Sequence, residues 1–247
     1  MSPGRLIAAF ATALVVVAGL GYALSQTILA RQPLVVADQP RYVDAPRPHA
    51  RLAPQPDDAP AAPTVVDPAW VADVAARAGI PAPAVRAYAN AQLAEPEDCE
   101  VGWTTLAGIG WVESQHGTLG GRTLGEDGHS SSAVLGPALD GRKFAAIPAT
   151  PESTAWHGDP TWDHAVGPLQ FIPSTWETWG ADGDRDGVAD PNDIDDAAFA
   201  AARYLCADGH DLTSGAGWAD AVFSYNHSQT YIDDVYAAAT AYAERTD

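Results

Sequence analysis

The sequence is short of basic charge. Lys and Arg together number 13 against 32 Asp and Glu, a formal net charge of −19 at pH 7. Nucleic acid and anionic membrane surfaces repel a chain this acidic, so neither is expected as a partner. Cysteine is scarce, with only Cys99 and Cys206. Six of the seven histidines, His116, His129, His157, His164, His210 and His227, show no paired ligand spacing, which argues against zinc. No run alternates convincingly in the manner of a β-strand, and no internal repeat is visible. What remains is a chain with 47% hydrophobic residues, enough for a sizeable core. It also has 8 tryptophans, which could pack that core or line a sugar cleft.

The N-terminus sets the compartment. Arg5 precedes an uncharged apolar run from Leu6 to Leu24, 19 residues long. A basic start and such a run form an export signal, and the length is enough to span a bilayer. Gly21-Tyr22-Ala23 would serve as a small-x-small cleavage site. Residues 1–30 are therefore read as a signal peptide or a membrane anchor. The rest of the chain is expected outside the cytoplasm, in the cell envelope or secreted. There a lone cysteine pair becomes a disulfide, Cys99–Cys206, closing a loop of about a hundred residues.

Residues 31–66 carry Pro33, Pro40, Pro46, Pro48, Pro54, Pro56, Pro60 and Pro63. Proline fixes φ and removes backbone donors, so an extended, solvated linker is expected. From Asp67 the pattern becomes helical. "DPAWVADVAARAGI" opens with an Asp N-cap and a proline at the first helical position. "PAPAVRAYANAQLAE" and "EVGWTTLAGIGWVESQHG" follow, the latter closed by Gly117. Residues 118–166 read as a long irregular loop, of the kind that is usually functional or disordered. Helices resume at "PSTWETWG", "DIDDAAFAAARYLCADG", "GWADAVFSYN" and "SQTYIDDVYAAATAYAER". Residues 67–247 are thus expected to form one mainly α domain.

Three stretches offer chemistry. Glu113 shares a helical face with Leu106, Ile109 and Gly110, so its carboxyl should be partly desolvated and its pKa raised. Its place in the last turn, where the helix dipole disfavours an anion, acts the same way. A carboxyl protonated near neutrality suits a general acid; the bland alternative is a solvated residue at a frayed end. Gln170 in "AVGPLQFIPSTWETWG" is a lone amide among apolar neighbours. It could bond a sugar, or merely pack in a loop before a Ser174 cap. Tyr225 and Asn226 in "SYNHS" could orient a substrate, or Asn226 or Ser228 could simply cap the next helix.

Together, and in this order, "ES..G" at a helix end, "GPLQF.PSTW" and "A...YN" resemble the lytic murein transglycosylases, in particular the transglycosylase B-like branch of actinobacteria. "AVLGPALDG" and "DAAFAAARYLC" extend the resemblance over residues 68–243. It implies a lysozyme-like fold with a substrate-cleft loop region, acting on peptidoglycan glycan strands, and a monomer is expected. It implies cleavage of the β-1,4 bond between N-acetylmuramic acid and N-acetylglucosamine with formation of a 1,6-anhydro ring. Glu113 corresponds to the single acid/base and Ser114 to a residue orienting it or the substrate. Gln170, Tyr225 and Asn226 correspond to cleft residues. Leu169 departs from the family's usual Met, a swap of one flexible apolar side chain for another. Glu126, Asp127, Asp140, Asp159 and Asp163 leave a two-carboxylate hydrolase open. A non-catalytic wall-binding protein is the further alternative.

"DGDRDGVADPND" places Asp182, Asp184 and Asp186 at positions 1, 3 and 5 of a calcium-loop pattern. Val188 would offer its carbonyl, Asp190 would bind directly or through water, and Asp193 replaces the usual Glu at position 12. A structural Ca2+ is the expected occupant, with a solvated acidic loop as the alternative.

Overall fold

The structure, a computed structural model, describes residues 45, 47–53, 64–94, 99–142 and 145–247, with backbone only at Asp208. The apolar run at Leu6–Leu24 and the anchor expected there lie outside the described residues. Among the described residues no helix is long and apolar enough to cross a membrane.

The proline-rich stretch is not uniformly solvated. β1 (Ala50–Leu52) pairs antiparallel with β2 (Thr64–Val66), Ala50 opposite Val66. Val66 is buried, and its N–H donates to Asn90 Oδ1 at 2.8 Å. The Asp67 N–H donates to His49 O at 2.6 Å, and the His49 ring lies 6.4 Å from that of Trp70. Part of the expected linker is therefore docked on the domain. Strands of three residues among prolines carry too little alternation to be seen in sequence.

Eight helices follow among the described residues: α1 (Pro68–Ala78), α2 (Ala82–Ala94), α3 (Trp103–Ser114), α4 (Pro151–His157), α5 (Pro173–Trp179), α6 (Ile194–Cys206), α7 (Gly215–Tyr225) and α8 (Gln229–Thr246). α1 begins as its sequence predicts: the Asp67 side chain accepts from the Ala69 N–H, Pro68 fills the first turn, and Gly79 closes the helix at φ 73°. α4 was not foreseen within the long loop. It is a single short unit held by a reciprocal capping box between Thr150 and Ser153. The rest of that loop is tied by isolated bridges, including Leu135 with Val166 and Pro148 with Trp162.

α3 is the central helix. All its residues from Trp103 to Gly110 are buried, as expected of a helix surrounded by protein. It packs chiefly against α8, while α2 packs against α6. Both helices bury small residues, Ala84, Ala87, Ala89 and Ala91 on α2 and Ala197, Ala198, Ala200, Ala201 and Ala202 on α6. Trp70, Trp103, Trp176 and Trp218 are buried, so half of the tryptophans serve the core. Cys99 and Cys206 form the expected disulfide, with Cα atoms 5.7 Å apart. It ties the entry to α3 to the end of α6.

Candidate active site

Glu113 stands in the last turn of α3. Leu106, Ile109 and Gly110, which share its face, are buried. Burial pushes the Glu113 carboxyl up from 4.5 to about 7. A 2.6 Å hydrogen bond donated by the Tyr231 hydroxyl to Oε1 opposes this rise without cancelling it.

The turn after Glu113 fixes its position. Gln115, His116 and Gly117 have φ values of 53°, 60° and 80°. Two of these are not glycine, and each costs roughly 1–2 kcal/mol in a left-handed conformation. Buried polar bonds offset that cost. The His116 ring lies between the Tyr88 hydroxyl, 3.0 Å from Nδ1, and the Tyr242 hydroxyl, 2.9 Å from Nε2. Burial lowers its pKa to about 3, so the ring stays neutral, one nitrogen donating and the other accepting. Gly110 makes room for this network, since a Cβ there would overlap the Tyr88 hydroxyl. Ser114 is buried; its hydroxyl donates to Pro168 O at 2.5 Å and accepts from the Gly117 N–H at 2.7 Å. Ser114 thus joins the end of α3 to the segment carrying Gln170.

That segment is a tight hairpin. The N–H groups of Val166 and Phe171 each donate to the other's carbonyl, at 2.9 and 3.0 Å. Gly167 has φ 76°, and a Cβ there would overlap the Pro191 carbonyl, so only glycine lets the hairpin approach the acidic loop. Gln170, at φ 51°, is half-buried. Its amide nitrogen donates to Gly167 O at 2.9 Å and to Val134 O at 3.2 Å. The Gln170 oxygen faces Gly136. Pro173, not Ser174, opens α5, and Ile172 occupies the cap position.

Tyr225 ends α7. Its hydroxyl donates to Leu169 O at 2.8 Å. Its ring meets Phe171 and Tyr204 edge-on and stacks on Tyr231 at 6.4 Å with 5° between planes. A cavity of about 290 Å3 is lined by Gln170, Phe171, Tyr204, Tyr225 and His227 among others. Asn226 is exposed and caps α7, its N–H donating to Val222 O at 3.3 Å. Ser228 caps α8, accepting from the Tyr231 N–H at 3.4 Å. Glu113, Ser114, Gln170 and Tyr225 therefore share one continuous set of contacts, with Asn226 on the adjoining surface. Tyr231, which contacts Glu113 directly, was not picked out from the sequence; the only local signal is its place in the first turn behind a legible Ser228 cap.

The other loop carboxylates have partners elsewhere. Asp163 is buried, accepting from Ser153 Oγ at 2.5 Å, with His157 Nε2 3.3 Å away. Asp159 lies 3.2 Å from His164 Nε2, Asp140 lies 3.3 Å from Arg142 Nε, and Glu126 lies 3.6 Å from Arg86. Asp127 accepts from the His129 N–H at 3.3 Å.

In the acidic loop, carboxylate oxygens of Asp182, Asp184 and Asp196 lie within 4.8 Å of one another. Asp193 is not part of this group. It caps α6, its side chain accepting from the Asp195 N–H at 2.8 Å, because the helix start needs an acceptor there. Burial pushes the Asp193 carboxyl up to about 7, the charges of Asp195 and Asp196 adding to it against the Asp195 hydrogen bond. Asp196, one helical turn on, takes the position facing the loop. It accepts from the N–H groups of Gly183 and Asp190 at 2.6 and 2.8 Å, and burial raises its pKa despite those bonds. Asp186 accepts from the Val188 N–H at 2.7 Å and Asp190 from the Asn192 N–H at 2.8 Å. Asp182 Oδ1 is buried with no hydrogen-bond partner. An orphaned acceptor among clustered carboxylates fits a hard, oxygen-seeking cation.

A half-buried carboxyl at a helix end, bonded to a tyrosine and adjoined by an amide-and-aromatic cleft, has the setting that a carboxyl general acid requires. Residues 153–230 match the family described as the Transglycosylase SLT domain. The matched span takes in Gln170, the acidic loop, Tyr225 and Asn226, and stops short of Glu113 and Tyr231. It supports a lytic transglycosylase-like or lysozyme-like enzyme that acts on peptidoglycan, and hence action outside the cytoplasm. No curated protein and no solved structure matched the chain.

Proposed function

We propose that this protein is an exported lytic transglycosylase. It cleaves the β-1,4 bond between N-acetylmuramic acid and N-acetylglucosamine in peptidoglycan, with Glu113 as the only acid/base. The observation that carries this reading is the setting of Glu113: it stands in the last turn of the buried helix α3, its carboxyl accepts from the Tyr231 hydroxyl at 2.6 Å, and among the described residues burial, not a second carboxylate, raises it to about 7. A retaining hydrolase would set a second carboxylate about 5 Å away, close enough to raise the first by repulsion. Glu113, protonated, donates to the glycosidic oxygen as the bond from C1 of the muramyl residue breaks. The substrate's N-acetyl carbonyl supports the developing positive charge at C1. Glu113, now ionised, removes the proton from the C6 hydroxyl, and O6 closes on C1. One bond to C1 is lost and one gained, and no water is consumed. Gln170, Tyr225 and Asn226 shape the glycan cleft, and Ser114 holds Glu113 against the hairpin.

Residues 1–30 serve as signal or anchor, residues 31–66 as the spacer, whose C-terminal end at Val66 docks on the domain, and residues 67–247 as the catalytic unit, acting as a monomer. Incubating the purified protein with sacculi is expected to release soluble muropeptides. A protein that bound the sacculi and released none would be a wall-binding module and would overturn the reading.

The acidic loop is proposed to hold a structural Ca2+ through Asp182, Asp184 and Asp196, with the Val188 carbonyl and Asp186 or Asp190 completing the shell. The ion would neutralise the clustered charge at the start of α6 and take no part in the chemistry. Ca2+ at a hundredfold excess over its Kd should stabilise the fold by about 2.7 kcal/mol. Calorimetry with added Ca2+ and with chelator checks this; an unchanged Tm would remove the ion from the account.

A further inference from the structure

Tyr231 is the only side chain among the described residues that hydrogen-bonds the Glu113 carboxyl, and it engages one oxygen, Oε1. Oε2 has no protein partner among those residues. The phenol is well fixed. It is buried in the first turn of α8, the Ser228 cap holds its backbone, and the Tyr225 ring stacks on it. Tyr225 in turn is anchored to Leu169 O, so the pair is braced by the hairpin that also receives Ser114.

We infer that Tyr231 is a positioning residue that places the acid proton of Glu113 on Oε2 and so determines which oxygen meets the substrate. This rests on the reading of Glu113 as the acid/base. A hydroxyl that donates to Oε1 occupies that oxygen, and the proton of the neutral acid is left to the unpartnered one. Once the proton has gone to the leaving oxygen, the same O–H stabilises the new carboxylate. Tyr231 therefore favours the charged form and limits how far burial raises Glu113. The donor does not ionise in the working range, because burial, above all, and the nearby Glu113 charge hold its pKa well above 10.0. Among the described residues, the titratable groups facing Glu113 are Tyr231 on α8 and Tyr225 at the end of α7, both kept neutral. His116 is neutral and bonded to Tyr88 and Tyr242.

The test is the pH profile of kcat on a soluble glycan chain, with two replacements that should move it in opposite directions. Tyr231→Phe removes the donor. The limb on which activity falls with rising pH should move up, and kcat should drop roughly tenfold to a hundredfold, the loss of one hydrogen bond to a charged group, with KM little changed. Replacing Tyr231 with 3-fluorotyrosine keeps the shape and strengthens the donor, so the limb should move down. Direct titration of Glu113 by isotope-edited infrared, with Glu113→Gln as the blank, reads the same shifts without turnover. If both variants kept the native limb while Glu113→Gln was inactive, Tyr231 would be mere packing and the inference would fail alone. If Glu113→Gln kept native activity, the assignment of the acid itself would fail.

Discussion

Glu113→Gln should lose activity on peptidoglycan by roughly a hundredfold to ten-thousandfold, the range for removing a general acid or base. The upper end is expected, because one carboxyl performs both proton transfers. The amide preserves the shape and can still accept from Tyr231, so the cleft should survive. Stability should respond in the opposite sense. Burial holds the folded-state carboxyl at about 7 against an ordinary 4.5. The native state therefore binds the proton more tightly than the unfolded chain does. Stability of the native protein falls as pH rises between about 4.5 and 7 and stays lowered above that window. The upper limit of that cost is about 3 kcal/mol, reduced by solvent at this half-buried position. Glu113→Gln removes it, so the inactive variant should melt at or above the native temperature at pH 8, in a calorimetric scan paired with an activity assay. An active variant would acquit Glu113 of catalysis. An inactive variant that melts well below the native protein would point to a structural role instead.

Loss of the Cys99–Cys206 bridge should have the largest effect on stability. The bond spans 107 residues, and closing a loop of that length removes unfolded-state entropy worth about 4–5 kcal/mol. For a chain of this size the loss corresponds to a fall in Tm of about 10–20 °C. Cys99→Ser with Cys206→Ser, or reduction of the native protein, should give the same fall. The half-buried sulfurs tie the approach to α3 to the end of α6, so activity should decline at temperatures where the native protein still works. Identical melting of the oxidised protein and the double variant would mean that packing alone fixes these elements.

The helices were legible because their signals are local. Asp67, Pro68 and Gly79 mark both ends of α1, and alanine-rich periodicity marks α2 and α6. The docked hairpin was not legible, because Val66 gains its stability from Asn90, 24 positions away. α4 was missed for a related reason: seven residues are too few to show a helical period, and only its Thr150–Ser153 box identifies it. The same division runs through the site. Glu113 stood out because its apolar face is written at helical spacing. Tyr231 did not, because its meaning lies in a contact across 118 positions. Counting calcium-loop positions from Asp182 selected Asp193, but a helix N-terminus competes for that carboxylate and takes it, leaving Asp196 to face Asp182 and Asp184. Ser114 and Gln170 were legible as motif positions, while the bonds that join them through Pro168 and Val134 appear only in three dimensions.

The central claim is that the second proton transfer goes to the sugar's own hydroxyl and not to water. Digesting sacculi in heavy-oxygen water and weighing the released glycan ends tests it directly. The account predicts 1,6-anhydromuramyl ends, lighter than the hydrolysed product by one water and carrying no heavy oxygen at C1. Reducing muramyl ends with the label at C1 would contradict it and make the protein a lysozyme-like hydrolase.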